Sequence, residues 1–488
     1  MIEKNVKIHD KFSLELKFGY STRRKLKENL FEVNTWIFIP NSLDINRQTY
    51  DKTDFYKDLK SNIRLITPEF LLRDIADRTK SPFIHLEASF NALAASPTRG
   101  NAREYEHQIK MFLSILKSSL RDHREHIIRN IETEDRDYLI SNYLKSSHDI
   151  LSNYRSLRHI IAVPTVTSDL FSLYLLGDEF MSNLIEQHTF LLADEIRKLY
   201  PGLYGQTGHM LIDLINGEVE YRKSKGFPVA ENRGEKEIRE LIYRRGVLKK
   251  LFESQLFLAT RKKKDGFIAE QLIYSIAAGF AMIFATGIAF AFQQKYGNFT
   301  IPLFVALVIS YMLKDRIKEL TRYYFAGKLK KIFFDHKTNI SVTPDKSVGW
   351  CKESFDFVSA EKVPDDIIKK RVRSFVLEAQ SVKGWEKVVL YRKLMKLDRP
   401  SLDGIFTHYT ITGVNDIIRF NVSNFIHNMD NPEIPFRTLS GDGYDELSGQ
   451  KVYYLTFVID LKYDGENQVT VYRITFNRSG ILNVDSLQ

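Results

Sequence analysis

Hydrophobic positions in this chain fall into three regimes: alternation near both ends, helical spacing after Pro68, and two uninterrupted apolar runs past the middle. The first apolar run, residues 272–292, carries no charge, and only Tyr274, Ser275 and Thr286 interrupt it with polar groups. As a helix it would be about 31 Å long, close to the roughly 30 Å of a bilayer's hydrocarbon core. A second run, residues 299–313, follows a short turn at 293–298 that contains Gly297. Pro302 stands near the start of that run, where its missing N–H costs least. The pattern predicts a two-helix transmembrane hairpin over residues 272–313. Ala277, Ala281, Ala285 and Ala289 recur every four residues, and Pro302, Ala306 and Ser310 share that spacing. Small side chains let helix backbones approach closely, so these two faces are the expected contact.

The flanks read as folded protein. Val6, Ile8, Phe12, Leu14 and Leu16 alternate, and the run FEVNTWIFIP at 31–40 is rich in β-formers. Residues 1–60 are therefore expected to form a small β element of an N-terminal domain. Helical spacing dominates residues 61–233, with apolar stripes predicted over 83–95, 102–131, 137–157 and 180–199. Residues 234–265 predict a juxtamembrane amphipathic helix, with Ile238, Leu241, Leu248, Phe252 and Leu256 on one face and Arg244, Arg245, Lys249 and Lys250 on another. A basic helix is expected at 314–338 and a separate α+β domain at 339–488. In that last segment PDDIIKKRVRSFVLEA at 364–379 predicts a helix. The runs VYYLTFVIDL and VTVYRITF flank Asp464-Gly465 as a β-hairpin. The expected fold class is thus a membrane protein with an α-helical transmembrane hairpin, a mainly α-helical N-terminal cytosolic domain carrying a small β element, and an α+β C-terminal cytosolic domain.

Charge sets the orientation. The chain has 71 Lys and Arg against 61 Asp and Glu, a formal charge of +10. Residues 235–335 alone hold 18 cations and 9 acids, an excess of nine, so nearly all the imbalance flanks the apolar runs. Basic flanks on a membrane segment face the cytosol and anionic headgroups. Both termini are expected on the cytosolic side of the cell or inner membrane, with membrane lipid as a partner and nucleic acid disfavoured. Residues 1–20 show no apolar core of a signal peptide. The single cysteine, Cys351, allows no intrachain disulfide. The Asn298-Phe299-Thr300 sequon abuts the membrane run and reads as chance.

Chemistry is sparse. His123 and His126, followed by His148-Asp149, resemble the pattern of metal-dependent HD phosphohydrolases. That resemblance implies imidazoles and a carboxylate holding a divalent metal that activates water. The sequence departs from the pattern because DHREH places its histidines among Arg and Glu, and no later aspartate stands out beyond Asp169. The glycine-dense GLYGQTG at 202–208 lacks a following P-loop lysine and reads as a turn. No residue is assigned a catalytic, cofactor-binding or metal-ligating role, and the cofactor is unknown. The leading expectation is a membrane-tethered regulatory, sensory or scaffold protein with a protein partner or a second copy of itself. A membrane-anchored enzyme and a pore-forming effector are the alternatives.

Overall fold

The computed structural model describes residues 2–132, 134–230, 234–297, 300–371, 386–429, 433–441 and 443–487, with side chains 326–331 outside the description. The chain begins β1 (Ile2–Asp10), β2 (Ser13–Ser21), β3 (Glu28–Pro40), α1 (Lys52–Asp58) and β4 (Leu59–Leu65). Helices follow: α2 (Leu72–Ala76), α3 (Phe83–Ala95), α4 (Arg99–Arg129), α5 (Arg136–Ser156), α6 (Arg158–Ile161), α7 (Ser168–Leu199), α8 (Pro201–Ser224) and α9 (Glu235–Glu253). Then come β5 (Ala259–Lys264), two long helices α10 (Phe267–Tyr296) and α11 (Ile301–Ile332), β6 (His336–Thr343), β7 (Lys346–Val358) and α12 (Asp365–Arg371). The chain closes with β8 (Glu386–Asp398), β9 (Gly413–Asn421), β10 (Glu433–Ser440), β11 (Gly443–Gln450), β12 (Tyr453–Tyr463), β13 (Glu466–Asn477) and β14 (Gly480–Leu487).

Two compact units result. The helical unit comprises residues 65–257 and 405–412, and the sheet unit comprises 1–64, 258–404 and 413–488. In the helical unit α4 supplies the deepest apolar stripe, including Ile109, Phe112, Leu116 and Leu120. Helix α7 adds Met181, Ile185, Leu192 and Ile196. This core also holds charge. Arg155 donates to both oxygens of Glu218 at 3.0 and 2.7 Å and pairs with Asp178 at 3.0 Å. Arg244 grips Glu179 with two bonds of 2.7 Å, while Arg222, almost wholly buried, pairs with Glu186 and donates to Asn183 at 2.6 Å. Arg244 and Arg245, on the basic face of the helix expected over 234–265, thus reach buried acids of α7.

The sheet unit is built from an eight-stranded sheet in the order β14-β13-β12-β3-β8-β7-β6-β5 and a four-stranded sheet β1-β2-β9-β4. The sheets meet at both edges, where Ile481 N–H donates to the Lys11 carbonyl at 2.8 Å and Leu258 N–H to that of Ile63 at 3.2 Å. Phe31, Phe55, Phe355, Phe420 and Phe457 are buried between them. Local chemistry made several strands legible. The β12–β13 turn uses Asp464 and Gly465, both at positive φ, as a two-residue hairpin requires.

The structure corrects the expected fold class in two respects. The first concerns the membrane hairpin. Among the described residues only α10 is long and apolar enough to cross a membrane. Helix α11 is apolar only from Ile301 to Leu313 before Lys314, Asp315 and Arg316 begin. That portion is about 20 Å of helix, short of a hydrocarbon core. The second concerns the flanks. The helices are not an N-terminal domain with a small β element, and the C-terminal strands are not a separate α+β domain. Strand β3 lies between β8 and β12, and β2 pairs with β9, so the strands of both chain ends share the same sheets. Fourteen strands among the described residues make sheet a major part of the fold. Pairing across hundreds of residues leaves no local trace, because strand patterning reports a buried face and not its partner. The sequon residues 298–299 and the predicted helix beyond Arg371 lie outside the described residues.

Candidate functional site

Helices α10 and α11 leave the sheet unit and return to it at one place. Strand β5 enters α10, α11 leads into β6, and β5 and β6 are hydrogen-bonded neighbours with Lys264 opposite His336. The junction is tightly specified. Gly266 adopts φ +68°, and a Cβ there would lie 2.5 Å from the Phe333 ring, so glycine is required by both backbone and packing. The Asp265 carboxylate accepts from Phe334 N–H at 3.2 Å and pairs with Lys352 at 3.0 Å. Three residues past α11, Asp335 accepts from Lys52 at 2.6 Å, from Phe355 N–H at 2.8 Å and from the Tyr56 hydroxyl at 3.2 Å.

Beyond this base the two helices pack on one another. Ala277, Ala281, Ala306 and Ser310 are buried along them, so part of the small-residue spacing does form the seam. The Arg322 guanidinium lies over the Tyr274 ring at 5.2 Å. Nearly everything else is bare. The most apolar stretch of α10 is only 11% buried, and Phe280, Ile283, Ile301, Phe304 and Met312 are all exposed. A core helix of a soluble domain would be mostly covered, and contiguous apolar surface of this extent marks a contact face.

Below the junction the inner face of the sheet holds a buried charge cluster. Lys393 of β8 is almost wholly buried, 2.5 Å from Asp416 of β9 and 3.0 Å from Glu353 of β7. Ser61 donates to Asp416 at 2.6 Å, and Tyr391 donates to Glu353 at 2.6 Å. Burial opposes the charge on Lys393, yet Asp416 and Glu353 outweigh it and hold its ammonium well above the ordinary lysine range. Burial likewise works against the Glu353 carboxylate, but Lys393 and the Tyr391 hydroxyl bring it down to about 2. Burial pushes the Cys351 thiol up, as it does the Tyr20 and Tyr391 hydroxyls. A cavity of about 110 Å³ touches Ser61, Lys262, Cys351, Glu353 and Lys393. Lys393 is thus held as the ammonium and Cys351 as the thiol, neither of which is the nucleophilic form, and the arrangement fixes charge in place.

The cluster was within reach of the sequence. Tyr391, Lys393, Met395 and Leu397 alternate, as do Val414, Asp416, Ile418 and Phe420, so period two alone places Lys393 and Asp416 on buried faces. The histidines gather nothing. His123 is half-buried with Nε2 3.4 Å from the Leu139 carbonyl, while His126, His148 and Asp169 are exposed. No group of three or more metal-ligating side chains occurs among the described residues. Residues 202–208 lie inside α8 and are no turn. His408, which stacks on His85 at 4.2 Å, belongs to the helical unit.

Comparison of the chain with protein-family models, curated proteins and solved structures finds no match.

Proposed function

We propose that this chain is a membrane-associated regulatory or scaffold protein whose helix pair is the lipid-contacting element. The observation that carries this reading is the bare apolar surface of α10, long enough to cross a bilayer yet only 11% buried. The β5–β6 pairing keeps the residues just before α10 and just after α11 together, so the exposed apolar surface of both helices rises from one junction of the sheet. The cations at 261–264 and at 314, 316, 318 and 322 favour the cytosolic face for that junction. The protein's business is then to hold its folded units at a membrane, where they meet a protein partner or a second copy of the chain.

The test is flotation of the full chain with lipid vesicles. The wild type should rise with them, and a variant with serine at Phe280, Ile283, Phe304 and Met312 should stay behind while keeping its circular dichroism. A wild-type chain that remains soluble and unbound would sink the reading. Sidedness has its own check. Cysteines placed at the exposed Thr260 and Thr343, in a Cys351→Ser background, should be labelled from the same face of a sealed vesicle.

A further inference from the structure

The eight-stranded sheet has an outer face at its β5–β6–β7 edge, and that face is basic. Register places Lys263, Lys337 and Lys352 directly opposite one another across the three strands. The next row holds Arg261, Asn339 and Trp350. The ammonium groups of Lys337 and Lys352 lie 5.3 and 5.5 Å from the Trp350 ring centre. Asp265 neutralises Lys352 at 3.0 Å. The alternate residues of β5 point inward instead: Lys262 approaches Glu353 at 3.8 Å, and Lys264 pairs with Glu270 of α10.

Like charges directly opposite in a sheet destabilise it, so a row of three lysines asks for a counter-charge. Lysines on an edge strand ordinarily guard against edge-to-edge pairing. That accounts for Lys263 on β5 but not for Lys337 and Lys352, which lie on strands paired on both sides. The row also lies close to where the helix pair begins, with Lys263 two residues before Asp265 and Lys337 two residues after Asp335. Trp350 adds a half-buried aromatic at the same level, the residue type that settles at a membrane–water boundary.

We propose that Arg261, Lys263 and Lys337, arranged around Trp350, bind the phosphates of anionic lipid headgroups. This rests on the membrane reading and adds lipid selectivity to it. The helix pair supplies insertion, which any bilayer satisfies. The basic face supplies preference for a negatively charged one. Each cation near an anionic surface strengthens binding by roughly fivefold, so three together give a preference on the order of a hundredfold.

The experiment uses the full chain with phosphatidylcholine vesicles, with and without phosphatidylglycerol, at physiological salt. The wild type should bind both and favour the anionic vesicles by about two orders of magnitude. A variant with Arg261→Gln, Lys263→Gln and Lys337→Gln should keep its binding to neutral vesicles and lose that preference. A variant with Lys263→Arg and Lys337→Arg should retain it. Equal wild-type binding to the two vesicle types overturns the lipid selectivity while leaving membrane association intact. Binding to neither overturns both. A single-stranded oligonucleotide that binds the wild type and not the glutamine variant, with no vesicle preference, would assign the face to nucleic acid and also overturn the proposal.

Discussion

Replacing Lys393 with methionine removes the one positive charge that lies between two buried carboxylates. Glu353 at 3.0 Å and Asp416 at 2.5 Å would then face each other with only Ser61, Tyr391 and the more distant Lys262 to offset them. Breaking a buried ion pair from one side typically costs about 3–5 kcal/mol, because the remaining charge is left uncompensated. The direction of the Glu353 titration agrees, since Lys393 and the Tyr391 hydroxyl hold its carboxylate well below the ordinary range despite burial. Domains are stable by about 5–15 kcal/mol, so Lys393→Met should remove a large share of the sheet unit's stability.

Urea unfolding followed by tryptophan emission isolates the effect. Tryptophans occur at 36, 350 and 385 and nowhere in residues 65–257, so the signal does not come from the helical unit's main segment. The Glu353 carboxyl titrates lower when folded, so its contribution is complete above the unfolded value and disappears as pH falls toward 2. The Lys393 ammonium titrates higher when folded, so its contribution is complete below the unfolded lysine value and disappears only as pH rises above it. The wild-type stability should therefore plateau across neutral pH and fall in acid. The gap between wild type and Lys393→Met should narrow in acid, as both carboxylates of the variant take up protons. Adding Glu353→Gln and Asp416→Asn should recover much of the loss, since the triple variant buries no charge there. A Lys393→Met chain within about 1 kcal/mol of wild type at pH 7 would refute a desolvated charge cluster.

Three further outcomes are expected. Arg222→Met should destabilise the helical unit by about 1–3 kcal/mol, because it leaves Asn183 without its donor and Glu186 with Arg245 alone, and far-UV circular dichroism during thermal unfolding will show it. Gly266→Ala should cost at least 1–2 kcal/mol for its left-handed backbone, with more from the Phe333 ring, read as a lower tryptophan-monitored urea midpoint. Lys337→Glu should raise that midpoint by the equivalent of about 0.2–1 kcal/mol, by turning a like-charge pair with Lys263 into an attractive one, and should weaken anionic vesicle binding in the same sample.

Where local pattern suffices, the sequence is a good guide to this fold. The apolar spacing over 83–95 coincides with α3, and the run expected over 102–131 overlaps α4. Asp464-Gly465 sits in the expected hairpin turn. Helical period and turn chemistry are local properties, and both survive in the fold. The second membrane span failed for a related reason. Its apolar run ends at Leu313, and the basic helix expected at 314–338 continues the same helix to Ile332, so the turn and the proline mark a helix start without making the apolar part long enough to span. Of the charge cluster, only the burial of each member is written locally. That Lys393 meets Asp416 and Glu353 depends on β8 lying beside β7 and on the smaller sheet covering both, which no spacing within β8 encodes.

Strand order also explains how a helix pair this long can be carried at all. Helices α10 and α11 stand where two antiparallel neighbours, β5 and β6, would otherwise be joined by a turn. An insertion there interrupts no ladder and costs little in closure entropy, since its ends are already held in register. The same position ties the helices to the sheet interior. The Asp335 N–H donates to the Glu353 carbonyl at 2.8 Å, and the Asp335 carboxylate accepts the Phe355 N–H at 2.8 Å. Glu353 in turn pairs with Lys393, which pairs with Asp416 on the other sheet. A tilt of the helices would therefore load β5 and β6, which continue into them, and would reach β7 through Asp335. The buried charges fix the register of the strands that take this load, because a slip by one residue would carry Lys393 away from both of its carboxylates. In this fold the costly burial of charge thus lies where the exposed apolar helix pair meets its support.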